Sequence, residues 1–400
     1  MRSLRELERG RVARPRPSTV DRLADVFGLV GIERVQFHAR AAAVAGVGTS
    51  ASVYAPKDPA QLPIVGPDFA GRQDTVLLLD RLALGAARPA SPAVVLLSGV
   101  AGTGKTALAL HWAHRVADQF VDGHLYADLR GFHPSKSVRS ALEVLTSFLV
   151  ALGWPPHLVP NGLDAVAALY RSLVADRRLL IVLDDARDAT QVRPLLPGGS
   201  RSVVLVTSRL QLTGLVAAEA ARRVPVGQLD VGEARELLSR RLGSSRIAAE
   251  PEAVDRIIAR CGRLPLALAL FAARAAAHPT FSLTALADEL DESPNPLDGL
   301  HSEDAATDLR TALGRSLRAL SPDAASLFVR LGTADDGHLT VPEISDLTGL
   351  PRRRVGELLR ELVLANLLSE QAPGRFALDY LLQAYAIAVD EERLTRAVGG

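Results

Sequence analysis

Residues 94–116 read VVLLSGVAGTGKTALALHWAHRV. The apolar run Val94–Ser98 has the length and β-branched content of a buried strand, and Ala107–Val116 reads as a helix. Between them Gly99, Val100, Ala101, Gly102, Thr103, Gly104, Lys105 and Thr106 fit G-x-x-x-x-G-K-[ST]. Glycines let the backbone curl so that successive N–H groups, closed by that of Ala107, point at one centre. The helix N-terminus adds its partial positive charge. Such a loop cradles phosphates, with Lys105 reaching the β and γ phosphates and Thr106 offering its hydroxyl to Mg²⁺. A glycine-rich turn that matched by chance would have no reason to stand between a strand and a helix.

The flanking sequence extends this P-loop reading. Strands are expected at Val94–Ser98, His124–Leu129, Leu180–Asp184, Val203–Thr207 and Arg223–Val226, with helices near 105–117, 138–152 and 164–176. That alternation predicts an α/β fold, a parallel sheet with helices on both faces. Leu179-Leu-Ile-Val-Leu183 runs into Asp184 and Asp185. As catalytic candidates, Asp184 would hold Mg²⁺ and Asp185 would orient an attacking water. The plainer reading is a core strand with a polar end. Val203–Thr207 leads to Ser208 and Arg209. Arg209 is either a surface arginine or a contact to a terminal phosphate.

The chain has 400 residues, room for two to four domains, with 48% hydrophobic and 23% charged residues. That balance argues against extended disorder. A net charge of +1 gives no global attraction to nucleic acid or acidic membrane. Cys261 is the only cysteine, which points to a reducing, cytoplasmic compartment. No leader peptide is evident at the start, and the most apolar stretch, Leu264–Ala273, is too short to span a bilayer. No membrane partner is expected. Only Lys57, Lys105 and Lys136 are lysine among 46 basic residues, so the lysine inside the loop is there for a compact ammonium.

The expected organisation is a helical remnant over 1–45, a linker over 46–67, the nucleotide domain over 68–228, a helical domain over 229–300 and a winged-helix domain over 301–400. In the first of these, Ser18 suits an N-cap and Gly28 a C′ stop. In the last, helix, turn, helix and wing follow in order, with Thr340–Leu347, Arg352–Ala365, a hairpin at Pro373–Gly374 and a helix from Asp379.

With these segments in place the chain resembles the NB-ARC class of STAND ATPases, and within it the AfsR-like regulators of actinobacteria. Asp122-Gly-His-Leu-Tyr126, Gln191-Val-Arg-Pro-Leu-Leu-Pro197 and Val206-Thr-Ser-Arg209 are close to that family's wording. The resemblance implies an adenine nucleotide, ATP or ADP with Mg²⁺. It also implies that Phe69-Ala-Gly71-Arg72 packs against adenine, with Gln73 where the family carries an acid, and that Pro265 of Gly262-Arg-Leu-Pro265 lies near the base. A histidine at the start of the last helix holds the ADP β-phosphate in the family. Asp379-Tyr380 stands there in this chain, so Asp379 would face the phosphates and weaken that lock, or other residues would supply it.

The segment Ser3-Leu-Arg-Glu-Leu7-Glu8-Arg9-Gly10, with Thr19–Gly28, resembles the second half of a Cro/C1-type (XRE) helix-turn-helix domain. Residues 2–22 carry seven arginines against three acids, suited to phosphate contacts on DNA. A solvated basic arm is the alternative. The function expected from the whole is an ATP/ADP-operated transcriptional switch with slow or no hydrolysis, with oligomer formation in the ATP state. An ordinary P-loop ATPase or kinase and a non-switching nucleotide-binding scaffold are the rivals.

Overall fold

The computed structural model describes residues 17–29, 37, 58–85, 92–133, 136–305, 307–334 and 339–398. The basic stretch 2–16 and most of the expected N-terminal helix-turn-helix lie outside them. Within them, the helix Pro17–Val26 already includes Ser18, so Ser18 is not its cap. Gly28 does end it: at φ 63° it lets Leu29 N–H reach Ala24 O and Gly28 N–H reach Asp25 O, a Schellman stop.

Five parallel strands form the central sheet: β1 (Ala93–Ser98), β2 (His124–Asp128), β3 (Leu180–Ala186), β4 (Val203–Ser208) and β5 (Arg222–Pro225). Their order is β2-β3-β4-β1-β5. Each strand sends alternate side chains to opposite faces. The central strands β1, β3 and β4 are covered on both, which is why they read as apolar runs, while the edge strands β2 and β5 are only partly buried. On one face Val95, Leu97, Val182 and Leu205 pack on the helices Gln73–Leu84 and Lys105–Val116, with Trp112 fully buried. On the other Leu96, Ile181, Leu183 and Val206 meet the helices Ala141–Ala151 and Leu163–Val174 through Phe148 and Tyr170. Register sets Ser98 beside Ser208 and Asp128 beside Asp184, so the carboxyl ends of four strands finish along one edge.

Two elements differ from the expectation. Helix Gln73–Leu84 has no sequence signal at its start, because its N-cap is Arg72 in the left-handed region with no side-chain cap. The end of the expected linker lies against the sheet. Gln61 N–H donates to His124 O, and Gly123 sits so close to Pro59 that a Cβ there would collide with it.

Downstream, five helices span Val231–Leu242, Ser244–Ala249, Pro251–Arg260, Pro265–Ala277 and Leu283–Glu292. Their starts are ordinary local chemistry: an Asp230/Glu233 capping box, a Ser282 cap, and prolines at the first turns of two helices. The C-terminal unit follows with helices Leu309–Arg318 and Pro322–Gly332, strand β6 (Leu339–Thr340), and helices Val341–Thr348 and Arg352–Leu364. The hairpin β7 (Ser369–Ala372) and β8 (Arg375–Ala377) and the helix Tyr380–Val398 complete it. One hydrophobic interior runs through both units and takes in Val100 and Ala101 of the loop after β1. The downstream units therefore rest on that loop.

Candidate functional site

The loop after β1 is held from outside before it holds anything. Gly102 and Gly104 take φ 85° and 82°. A Cβ on Gly102 would strike Leu264, so a side chain there is excluded by packing as well as by backbone conformation. One on Gly99 would strike Val226 O, so there packing alone excludes it. Leu266 N–H donates to Gly102 O at 3.1 Å. Arg72 donates to Thr103 O at 3.2 Å and to Gly227 O, while its own N–H donates to Glu233. Glu233 comes from a later helix and approaches Gly71 within a distance only glycine allows.

Lys105 is 9% exposed and folds back to donate to Val100 O at 2.7 Å. Burial, with Arg209 adding to it against Asp185 and Asp184, brings its ammonium down to about 7. Thr106 Oγ1 donates to Asp184 Oδ1 at 2.8 Å, and Thr207 Oγ1 donates to the same oxygen at 2.6 Å. Tyr126 donates to Asp184 Oδ2 at 3.3 Å. Burial raises the Asp184 carboxyl, and the two threonine hydroxyls oppose that rise. Asp185 takes φ 53°, where the strand turns away. Its Oδ2 accepts Phe132 N–H at 2.9 Å and its Oδ1 lies 3.7 Å from Arg209 Nε.

These groups line a cavity of about 590 Å³ at the carboxyl edge of the sheet, within the size range of ligand sites. Gly102–Ala107, Asp184, Asp185 and Arg209 form its polar end. Phe69, Leu229, Leu237, Pro265, Leu266 and Ala269 form its apolar end. His111 stacks on Phe69 at 4.0 Å between centroids and fixes that ring. Arg209 lies 5.0 Å above the Phe132 ring and donates to Ala312 O at 2.6 Å, so it ties the end of β4 to the helix Leu309–Arg318. Asn366 donates to Arg209 O and Gln211 N–H to Leu364 O, which fastens the C-terminal unit to the same strand end.

The structure brings together the predicted Phe69, Arg72, Ala101, the loop from Gly102 to Ala107, Asp184, Asp185, Arg209 and Pro265. Gly99 and Val100 stand behind the loop. Asp379 is a correction: it does not line this cavity. It lines a small pocket with Val100, Ala101, Gln228, Gly262 and Leu264, on the outer curve of the loop. The helix Tyr380–Val398 approaches the loop from behind, where Leu381 touches the Gly262 backbone. Burial raises the Asp379 carboxyl against the pull of Arg263.

Sequence reasoning missed Tyr126, Asp128, Thr207, Arg241 and Arg315 on the cavity wall. The first three end strands beside Asp184, so the rule that parallel sheets bind ligands at their carboxyl edge could have found them. Arg315 comes from a helix far along the chain and carried no signal.

No protein-family model matches the chain. Over 337 residues it is 39% identical to regulatory protein AfsR of Streptomyces coelicolor, and over 334 residues 40% identical to regulatory protein AfsR of Streptomyces griseus. Each alignment covers 83% of this chain and 33% of the relative, so the chain spans about a third of the length of these proteins. Among solved structures, the Walker-type ATPase of Pyrococcus abyssi superposes with a TM-score of 0.54 at 14% identity, covering 84% of this chain and 99% of that one. That likeness concerns the fold, which is of the P-loop type. Among the described residues no helix is long and apolar enough to cross a membrane. Through the 83% that aligns, the chain is a homologue of the AfsR regulatory proteins.

Proposed function

We propose that this chain is an ATP/ADP-binding switch of a transcriptional regulator, of the NB-ARC type within the STAND ATPases, working in the cytoplasm. The observation that carries the reading is the cavity itself. A phosphate-type loop with Lys105 lies at one end and an apolar slot at the other, and downstream helices contribute to its wall. The residues fit an adenine nucleotide. Left-handed glycines turn the loop inward, Lys105 donates to a loop carbonyl beside the cavity, and Phe69 is held flat by His111. Loop amides and Lys105 would bind the phosphates, Phe69, Leu237 and Pro265 would flank the base, and Thr106 and Asp184 would hold Mg²⁺. The metal would supply charge neutralisation at the phosphates.

Two features favour a switch over a turnover enzyme. Asp185 already accepts Phe132 N–H and lies beside Arg209, which leaves it poorly placed to activate water and fits slow hydrolysis. Arg209 bonds to Ala312 O of the C-terminal unit while lining the cavity, so the terminal phosphate of ATP, by drawing it away, would loosen that unit. Moving a population from 1:99 to 99:1 takes about 5.5 kcal/mol of differential binding, within reach of a few charge-assisted bonds. DNA contact through residues 2–22 and assembly in the ATP form belong to the same reading.

The test is small-angle scattering of the protein with ADP and with a non-hydrolysable ATP analogue. A switch gives a larger radius of gyration, or an assembly, with the analogue. Identical curves, with both nucleotides bound, would leave a scaffold. Steady multiple turnover would point to an ordinary ATPase.

A further inference from the structure

We infer that Arg315 is a second cationic contact for the nucleotide's phosphates, facing Lys105 from the C-terminal unit, and that it couples nucleotide binding to the docking of that unit. The inference rests on the proposed nucleotide site and names the residue through which it regulates.

Among the described residues, Arg315 is the only side chain beyond residue 300 that lines the cavity. It projects from the helix Leu309–Arg318, the helix whose Ala312 carbonyl and Ser316 hydroxyl meet Arg209. Its guanidinium donates to Ala305 O, but its Nε is buried without a partner among the described residues. A buried donor left unpaired is unfavourable, so the arrangement is poor as a purely structural one.

The charges around it point the same way. Arg315 and Arg209 lie close enough for each guanidinium to feel the same carboxylate, Asp185, and for Arg315 to act against Arg209. Arg72 and Arg241 are accounted for elsewhere on the wall, by backbone carbonyls and by Asp68. At the polar end that leaves Lys105, Arg209 and Arg315 around the loop, with Asp128, Asp184 and Asp185 at the strand ends. A guanidinium is built to grip phosphate oxygens, and the unpaired Nε of Arg315 is a donor for one. An anion bound between Lys105 and Arg315 adds a polar link to those that Arg209, Gln211 and Asn366 make between the two units.

The experiment is calorimetry of ADP and of adenosine with the full chain, with Arg315→Ala, and with Lys105→Ala. Arg315→Ala is expected to weaken ADP at least about tenfold, and to leave adenosine within about twofold. Hydrogen exchange supplies a second readout: ADP should protect the helix Leu309–Arg318 in the parent protein and not in the variant. If Arg315→Ala folds poorly, Arg315→Met keeps the aliphatic stem without the charge and carries the same expectation. Parent-like ADP affinity in a folded Arg315 variant, with Lys105→Ala defective, overturns the inference and leaves the nucleotide site standing. Parent-like affinity in both variants, or no binding by the parent, overturns the nucleotide reading itself.

Discussion

The two walls of the cavity are made in different ways. The near wall is Ala101–Thr106 with Asp184 and Thr207, all at the ends of adjacent parallel strands, and its geometry follows from sheet register. The far wall is assembled from Pro265, Arg315 and the bonds of Arg209 to Ala312, partners separated by 103 positions in the chain. Near-wall groups are locked by buried hydroxyls and carbonyls. Far-wall groups depend on how the downstream units are docked. A site built this way separates two tasks: the near wall sets affinity, and the far wall sets how affinity depends on conformation.

Among changes to the walls the largest effect should come from Asp184→Asn on the near one. Asp184 sits between the hydroxyls of Thr106 and Thr207 with its carboxyl raised by burial. Mg²⁺ should strengthen binding of an ATP analogue to the parent by about tenfold or more, roughly 1.4 kcal/mol, and this gain should vanish in the variant. Titrations with and without EDTA check it.

Next comes pH. The Lys105 ammonium is brought down to about 7 in the free protein, while the unfolded chain keeps its proton to the ordinary lysine range. Between those limits the unfolded state holds more protons, so the stability of the free protein should rise with pH there and be flat below about 7. A bound diphosphate restores the charge, so ADP binding should take up a proton in that window. Its affinity should fall by up to about tenfold per pH unit. Calorimetry in two buffers of different ionisation enthalpy measures the proton directly.

Arg209→Ala tests the far wall. Losing the bond to Ala312 O should lower stability of the docked form by about 1–3 kcal/mol and narrow the difference between ADP and an ATP analogue. Chemical denaturation and paired titrations read the two effects. The smallest effect belongs to Asp379→His. With Asp379 on the outer curve of the loop, ADP affinity should change by no more than about twofold. A tenfold gain would mean that the last helix reaches the phosphates after all.

The same contrast explains what could be read from the sequence. The loop, the five strands and Asp184 were legible because each is a contiguous run whose environment is repeated along it: buried strand, tight glycine turn, helix start. Helix Gln73–Leu84 was not, since Arg72 caps it by backbone conformation rather than by a hydroxyl or carboxylate. Asp379 was placed at the right point in the chain, just before the last helix, but on the wrong side of the loop. Its position depends on how that helix approaches, which local pattern does not encode. Arg315 is the sharpest case. Its neighbours Gly314 and Ser316 give no hint of function, and only the packing of one unit on another brings it to the cavity.

The central claim is that Lys105 and the loop amides grip the phosphates of an adenine nucleotide. Purified protein, denatured and chromatographed after equilibration with ADP and removal of free ligand, should release close to one equivalent of nucleotide, and Lys105→Ala close to none. Folded parent protein that releases nothing, or a variant that releases as much as the parent, would contradict it.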